Sequence, residues 1–520
     1  MMKGMSSFIA HLDLKGVRLR PAFLPEYLEN LQTLGFRALV VEYEDVFPFR
    51  SARVSMHPEE VWSRDFLETF LAKAHSLGIE IIPLQQCLGH LEYAFRREEN
   101  RPYAFGQGVP RDLHLGRPEA RQWLKGLLAE VLEAHPASRY VHIGMDEARS
   151  LHGHAKEEGT AVLTLFLEYL DELCTLCERY GKTPLIWGDM LDESIAPEHL
   201  GKLVSFKDRL IVVSWDYASE GEAQAVVRFS GVRCSRRWVE EPWEAPLPTP
   251  AAMSGATLWF EDWPEAIQSL VEPYRVSPWA MASFFQAAVW RDLGFTVWGA
   301  AGGAVTYDRS VLPYYVRRHR NIAAWKTFGE RERLGGIMIT QWARSNSLTV
   351  PNVLPDVVWP VLAGAGAGLE RFFKGVAPDR LKRLFGGIGR CREGWAMESG
   401  LLAEMAELTG QLQTHHEEWE TIRLMLELQR ITKGAEVLEE FMRCYGGIGR
   451  LPGEGWEKQA ETLEALEADL QRLEERTRDH LQKRYFGIAL EEWHYKAFTS
   501  LWERLSLLGR AVAGGVGELI

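Results

Sequence analysis

The chain has 520 residues, 46% of them hydrophobic and 25% charged, with a formal net charge of −13. This is an ordinary globular mixture, long enough for one barrel of roughly 250–400 residues plus an appendage. The acidic balance excludes nucleic-acid binding through a basic, phosphate-tracking surface, and no run approaches the roughly 20 apolar residues of a membrane helix.

The opening segment MMKGMSSFIAHLDLKG has no long apolar core and no cleavage site, so it does not read as a signal peptide. Six cysteines at irregular spacing do not form a disulfide framework, and the expected compartment is the reducing cytoplasm. Cys174 and Cys177 make a CxxC inside the helical run LTLFLEYLDELCTLCERYGK. With no second pair to complete a zinc site, they read as buried helix cysteines and not as a metal centre.

In chain order, eight apolar runs rich in β-branched residues stand out: SFIAHLDL (7–14), FRALVVEYED (36–45), IEIIPLQQ (79–86), YVHIGMDE (140–147), TPLIWGDM (183–190), LIVVSWDY (210–217), FTVWGAAG (295–302) and GGIMITQW (335–342). Continuous hydrophobic character marks strands buried on both faces. Amphipathic helical patterns such as PEYLENLQTLG and SRDFLETFLAKAHSLG lie between them, several ending in glycine just before the next strand. The pattern predicts a closed (β/α)8 barrel over residues 1–375.

Segment 218–294 is long for one connection and rich in tryptophan (Trp238, Trp243, Trp259, Trp263, Trp279, Trp290), which predicts an insertion folded over the barrel mouth. Beyond about residue 375 the strand signals stop. Leu401, Met405, Leu408 and Leu412 recur at helical spacing, as do Leu463, Leu466, Leu470 and Leu473. Residues 376–520 are therefore expected to form an α-helical domain, packed as a bundle within the chain and a candidate homodimer interface.

Nearly every strand run ends in polar or aromatic side chains: His11 and Asp13, Glu42 to Asp45, Gln85 and Gln86, Asp146 and Glu147, Trp187 and Asp189, Trp215 to Tyr217, and Trp342. Barrel enzymes build their sites at these C-terminal ends, because the interior below is packed side chain. The most specific run is YVHIGMDEA. Strand alternation predicts that His142, Gly144 and Asp146 share the inward face, with Glu147 just past the strand at the mouth. Two carboxylates at a barrel mouth suit glycoside hydrolysis, which needs an acid and an anionic stabiliser.

HIGMDEA resembles the His-x-Gly-x-Asp-Glu signature of family 20 glycoside hydrolases, the β-N-acetylhexosaminidases. HLDLKG (11–16), VEYEDVFPF (41–49), IIPLQQCLGH (81–90), the WGDM and SWDY strand ends and TQW (340–342) resemble, in order, the hexosaminidase D-like branch. The resemblance implies a retaining exo-hydrolase that releases terminal β-linked N-acetylhexosamine from oligosaccharides, with no cofactor and no metal. Its nucleophile is the acetamido oxygen of the substrate itself. It assigns Glu147 as general acid and base, and Asp146 as the anion that holds the acetamido N–H.

Trp187, Trp215 and Trp342 are the implied aromatic cage, and Tyr217 the hydroxyl that orients the acetamide carbonyl. Asp189 is a further substrate-binding candidate at its strand end. His90, His142 and Asp45 are implied to orient the carboxylates. Most members carry an arginine after the first strand, where this chain has Asp13 and Lys15, and an acidic residue two positions after the last-strand tryptophan, where it has Arg344. These three are the candidates for gripping the sugar hydroxyls.

Three other readings remain open from the residues alone. His11, Asp13, His142 and Asp189 could serve as a metal centre of an amidohydrolase-like barrel, though that fold usually opens with His-x-His. A conventional two-carboxylate glycosidase and a non-catalytic amino-sugar-binding barrel are the others.

Overall fold

The structure is a computed structural model that describes residues 8–106, 110–148, 150–151, 162–223, 226–228, 232–234, 263–277, 280–305, 311–343, 351–390, 395–446 and 453–514. Eight parallel strands close into a barrel. They are β1 (Phe8–Asp13), β2 (Ala38–Glu42), β3 (Glu80–Leu84), β4 (Tyr140–His142), β5 (Thr183–Trp187), β6 (Ile211–Trp215), β7 (Thr296–Ala304) and β8 (Gly336–Gln341). Each lies within its expected run or within two residues of it. The closing pairs are Phe8 with Ile337 and Ala10 with Leu39. A chain of Val, Ile and Leu buried on both faces has no edge left to solvent, which is why the runs are continuous.

The fourth strand departs from expectation. It ends at His142, and Gly144, Met145 and Glu147 all adopt positive φ. Strand alternation therefore does not place Gly144 and Asp146; a left-handed turn does. A left-handed residue other than glycine costs about 1–3 kcal/mol and persists only where the surroundings hold it.

The chain divides into two compact units, residues 1–14, 36–302 and 320–340 in the first, and 15–35, 303–319 and 341–520 in the second. All but the last residues of β7 and β8 lie in the first. These units do not coincide with a division at 375/376, which stays a proposal.

In the second unit the helices Trp395–Thr409, His416–Gly446 and Gly453–Arg484 pack in sequence. Leu401, Met405, Leu408 and Leu412, and Leu463, Leu466, Leu470 and Leu473, are buried there. Tyr485–Phe486 pairs antiparallel with Arg18–Leu19, which draws residues 15–35 into this unit. No helix among the described residues is long and apolar enough to cross a membrane.

Of the 218–294 insertion, residues 226–228, 232–234, 263–277 and 280–294 are described beyond Ala223. Trp263 and Trp290 are buried, and the Trp290 indole donates to Asp192. Trp238, Trp243, Trp259 and Trp279 lie outside the described residues. Cys174 and Cys177 are buried with Cys87 as free thiols, and burial pushes the Cys174 thiol up to about 12.

Candidate active site

The turn after β4 is shaped by two glycines. A Cβ on Gly144, at φ +64°, would meet Gln86 Oε1 at 1.9 Å, and one on Gly89 would meet the Asp146 carbonyl at 2.4 Å. Only glycine lets the loop after β3 lie against the turn that carries Asp146. His142 closes the turn from below, accepting the Gly144 N–H at Nδ1 over 3.1 Å.

That packing brings His90 to both carboxylates. Its Nε2 lies 3.2 Å from Asp146 Oδ2 and 3.5 Å from Glu147 Oε2. Asp146 is buried, and its Oδ1 has no hydrogen-bond partner among the described residues. The Glu147 side chain is 32% exposed, so it is open to a ligand from the mouth. Arg111 joins them: its Nη2 is 3.3 Å from Glu147 Oε2 and 3.0 Å from His90 Nε2.

Asp189, just after β5, holds the other side. Its Oδ2 accepts the Glu147 backbone N–H at 2.9 Å and its Oδ1 the Trp215 indole N–H at 3.3 Å. Burial, then repulsion from Asp146, pushes its carboxyl up to about 7, against those two bonds. Trp215 is half-buried and stacks on Tyr217 with ring centroids 5.2 Å apart and planes 19° apart.

Beneath the mouth lies a layer of buried polar groups. His11 Nε2 is 3.7 Å from Glu42 Oε2, and Glu42 Oε1 accepts from Gln86 Nε2 at 3.0 Å. Trp187 is fully buried, its ring 4.4 Å from that of His142. Burial holds His142 down to about 3 despite the nearby anions Asp146 and Glu42, so it stays neutral.

Asp13, Asp45, Lys15 and Trp342 are the remaining candidates that the structure describes. Asp13 is buried at the end of β1, opposite Glu42 in the strand register. Asp45 sits in a short 3-10 turn, accepts from Ser55 Oγ, and lines a cavity of about 430 Å³ with Phe49, Arg53 and Arg97. Lys15 and Trp342 belong to the second unit, where the ammonium lies 4.9 Å over the indole. Arg344 lies outside the described residues. Among the described residues, the one set of three ligand-type side chains whose atoms come within 4.8 Å of one another is Glu26, His415 and Glu418, not His11, Asp13, His142 and Asp189.

Arg111 is the residue that sequence reasoning misses. It stands in a connection with no strand or helix pattern, and an Arg-Asp dipeptide there carries no signal of its own.

Residues 33–234 match the model of the glycosyl hydrolase family 20 catalytic domain. The chain is 26% identical to hexosaminidase D of Bos taurus over 246 residues (44% of this chain, 69% of that protein). It is 28% identical to hexosaminidase D of Homo sapiens over 234 residues (42% of this chain, 47% of that protein). Over residues 33–234 the chain is similar to the catalytic domain of glycosyl hydrolase family 20. The match spans about half the length of the human relative.

Among solved structures, a family 20 β-N-acetylhexosaminidase from Streptomyces coelicolor A3(2) aligns with TM-score 0.41 and 13% identity (79% of this chain, 70% of that one). Dispersin B aligns with TM-score 0.41 and 13% identity (65% and 91%). Likeness at that level carries nothing beyond what the barrel itself shows.

Proposed function

We propose that this chain is a retaining exo-β-N-acetylhexosaminidase that uses the substrate's 2-acetamido group as nucleophile. The observation that carries this reading is Asp146 Oδ1, buried and without a hydrogen-bond partner among the described residues, while Oδ2 is held by His90. A buried acceptor left open costs about 1–3 kcal/mol in the resting protein. An acetamido N–H from the substrate would satisfy it.

In the first step the acetamido carbonyl oxygen attacks C1. The glycosidic C1–O bond breaks, and Glu147 gives its proton to the leaving oxygen. Positive charge develops on the oxazolinium ring beside Asp146, where a charge-assisted bond from the ring N–H strengthens as the charge grows. In the second step Glu147 takes a proton from water, the water oxygen bonds to C1, and the ring reopens with the configuration retained. Trp215 and Tyr217, stacked beside Asp189, are assigned to the acetamido group, with Trp187 supporting His142 beneath.

A two-carboxylate mechanism fits less well. It needs the two groups on either side of the sugar, whereas here both meet one imidazole nitrogen. The cytoplasm is the compartment we assign, on the sparse, irregularly spaced cysteines of the sequence.

The test is release of p-nitrophenol from the β-N-acetylglucosaminide, the β-N-acetylgalactosaminide and the unacetylated β-glucoside by wild type, Asp146→Asn and Glu147→Gln. Cleavage of the N-acetylated substrates alone, greatly weakened by either substitution, is the expected result. Equal cleavage of the β-glucoside would remove the acetamido group from the mechanism.

A further inference from the structure

We propose that Arg111 and Asp112 form a clamp that positions the catalytic pair, a role that rests on the hydrolase reading above. Two loops carry the chemistry: the one after β3 brings His90, and the one after β4 brings Asp146 and Glu147. Neither loop is regular, and both His90 and Glu147 sit at positive φ, so their own backbones do not favour these geometries.

Segment 111–113 ties the two together. On one side its backbone is zipped to the His90 loop: the Leu91 N–H donates to the Arg111 carbonyl at 2.9 Å, and the Leu113 N–H to the Leu88 carbonyl at 2.8 Å. On the other side, Asp112 Oδ2 accepts the Ser150 N–H at 2.9 Å, three residues beyond Glu147. Between these anchors the Arg111 guanidinium reaches both loops, with Nη2 donating to Glu147 Oε2 and packed against the His90 ring, 3.2 and 3.0 Å from its two nitrogens. The Glu92 and Asp112 carboxylates lie 3.7 Å from its Nε, close enough for charge attraction but not for a hydrogen bond.

The clamp thus reaches Glu147 from its side chain and from the backbone that follows it. A general acid must stand within hydrogen-bond reach of the leaving oxygen, so loosening the clamp should show in kcat before it shows in substrate binding.

Arg111→Met and Asp112→Ala are expected to lower kcat on the order of 10–100-fold with KM within about twofold. Arg111→Lys keeps the charge and should recover part of that loss. Asp112→Asn keeps an oxygen for the Ser150 N–H and should stay closest to wild type, which guards against a variant that simply misfolds. An unchanged kcat with a lowered melting temperature would make the pair merely structural and overturn the proposal.

A readout without substrate separates this from the functional reading. Amide exchange at residues 146–151 should speed up about tenfold or more in Asp112→Ala, since a lost tie lowers the local opening free energy, while Ile211–Trp215 in β6 stays protected. Unchanged exchange at 146–151 would overturn the clamp whether or not any substrate is cleaved.

Discussion

In the second unit Arg484, 4% exposed, donates from Nε and Nη2 to Asp356 at 2.8 and 3.1 Å and from Nη2 to Glu418 at 3.0 Å, with Thr421 Oγ also on Asp356. In the first unit Asp146, 8% exposed, has one oxygen on His90 and the other without a hydrogen-bond partner among the described residues. Gln86 Oε1 and His142 Nε2 are left in the same state below it. Both regions bury charge. One satisfies it internally and is finished when the chain folds; the other keeps polar groups without partners, as the substrate contact proposed above requires. Unsatisfied burial is a cost that folding alone gives no reason to keep.

The contrast breaks most sharply under matched substitutions. Glu147→Gln should lower kcat on the order of 10²–10⁴-fold, yet leave the unfolding midpoint within a degree or two or raise it slightly, because one anion leaves a crowded acidic site. Asp356→Ala should do the reverse. Removing one partner of a buried ion pair costs about 3–5 kcal/mol, read as a lower urea midpoint, with kcat per folded molecule unchanged. A Glu147→Gln protein that lost stability as Asp356→Ala does would erase the distinction.

Gly144→Ala sharpens it further with a smaller effect. The left-handed backbone alone costs about 1–2 kcal/mol for a residue with a Cβ, and the added carbon would displace Gln86, which donates to Glu42. We expect a moderate loss of stability together with a loss of activity, since the same turn carries Asp146. A stable, fully active Gly144→Ala would mean that the turn relaxes without moving the carboxylate.

The same contrast explains what the sequence reveals. The eight strands are legible because burial on both faces forces unbroken apolar runs, and the proposed catalytic pair because polar residues ending such runs have no packing role. Leu466 and Leu470 are legible as core because helical spacing puts them on one face.

The turn at 144–147 is not legible, since strand alternation ends where positive φ begins and only Gly144 hints at it. Arg111 and Asp112 are invisible for a different reason: they meet Glu147 and Ser150 across tens of residues of sequence, with no periodicity to mark them. The family resemblance assigns Asp45 to orienting the carboxylates; in the structure it accepts from Ser55 and lines a cavity with Phe49, Arg53 and Arg97.

The smallest expected effect concerns pH, where groups in the first unit oppose one another. Burial, and then Asp146, push Asp189 up to about 7 from an ordinary 3.8. The folded protein therefore keeps a proton that the unfolded chain releases, and the stability from this group is full below about pH 4 and lost as pH rises through 7. Burial holds His142 down to about 3 and His135 down to about 4. The unfolded chain takes up their protons near pH 6.5 and the folded barrel refuses them, so their stability is present above 6.5 and lost as pH falls. Between about pH 4 and 6.5 the two trends offset each other. Asp189→Asn removes one of them, so its unfolding free energy in urea should climb with pH across that window more steeply than that of wild type. Equal slopes would mean that Asp189 is already ionised in the folded protein, and that the N–H bonds from Glu147 and Trp215 outweigh its burial.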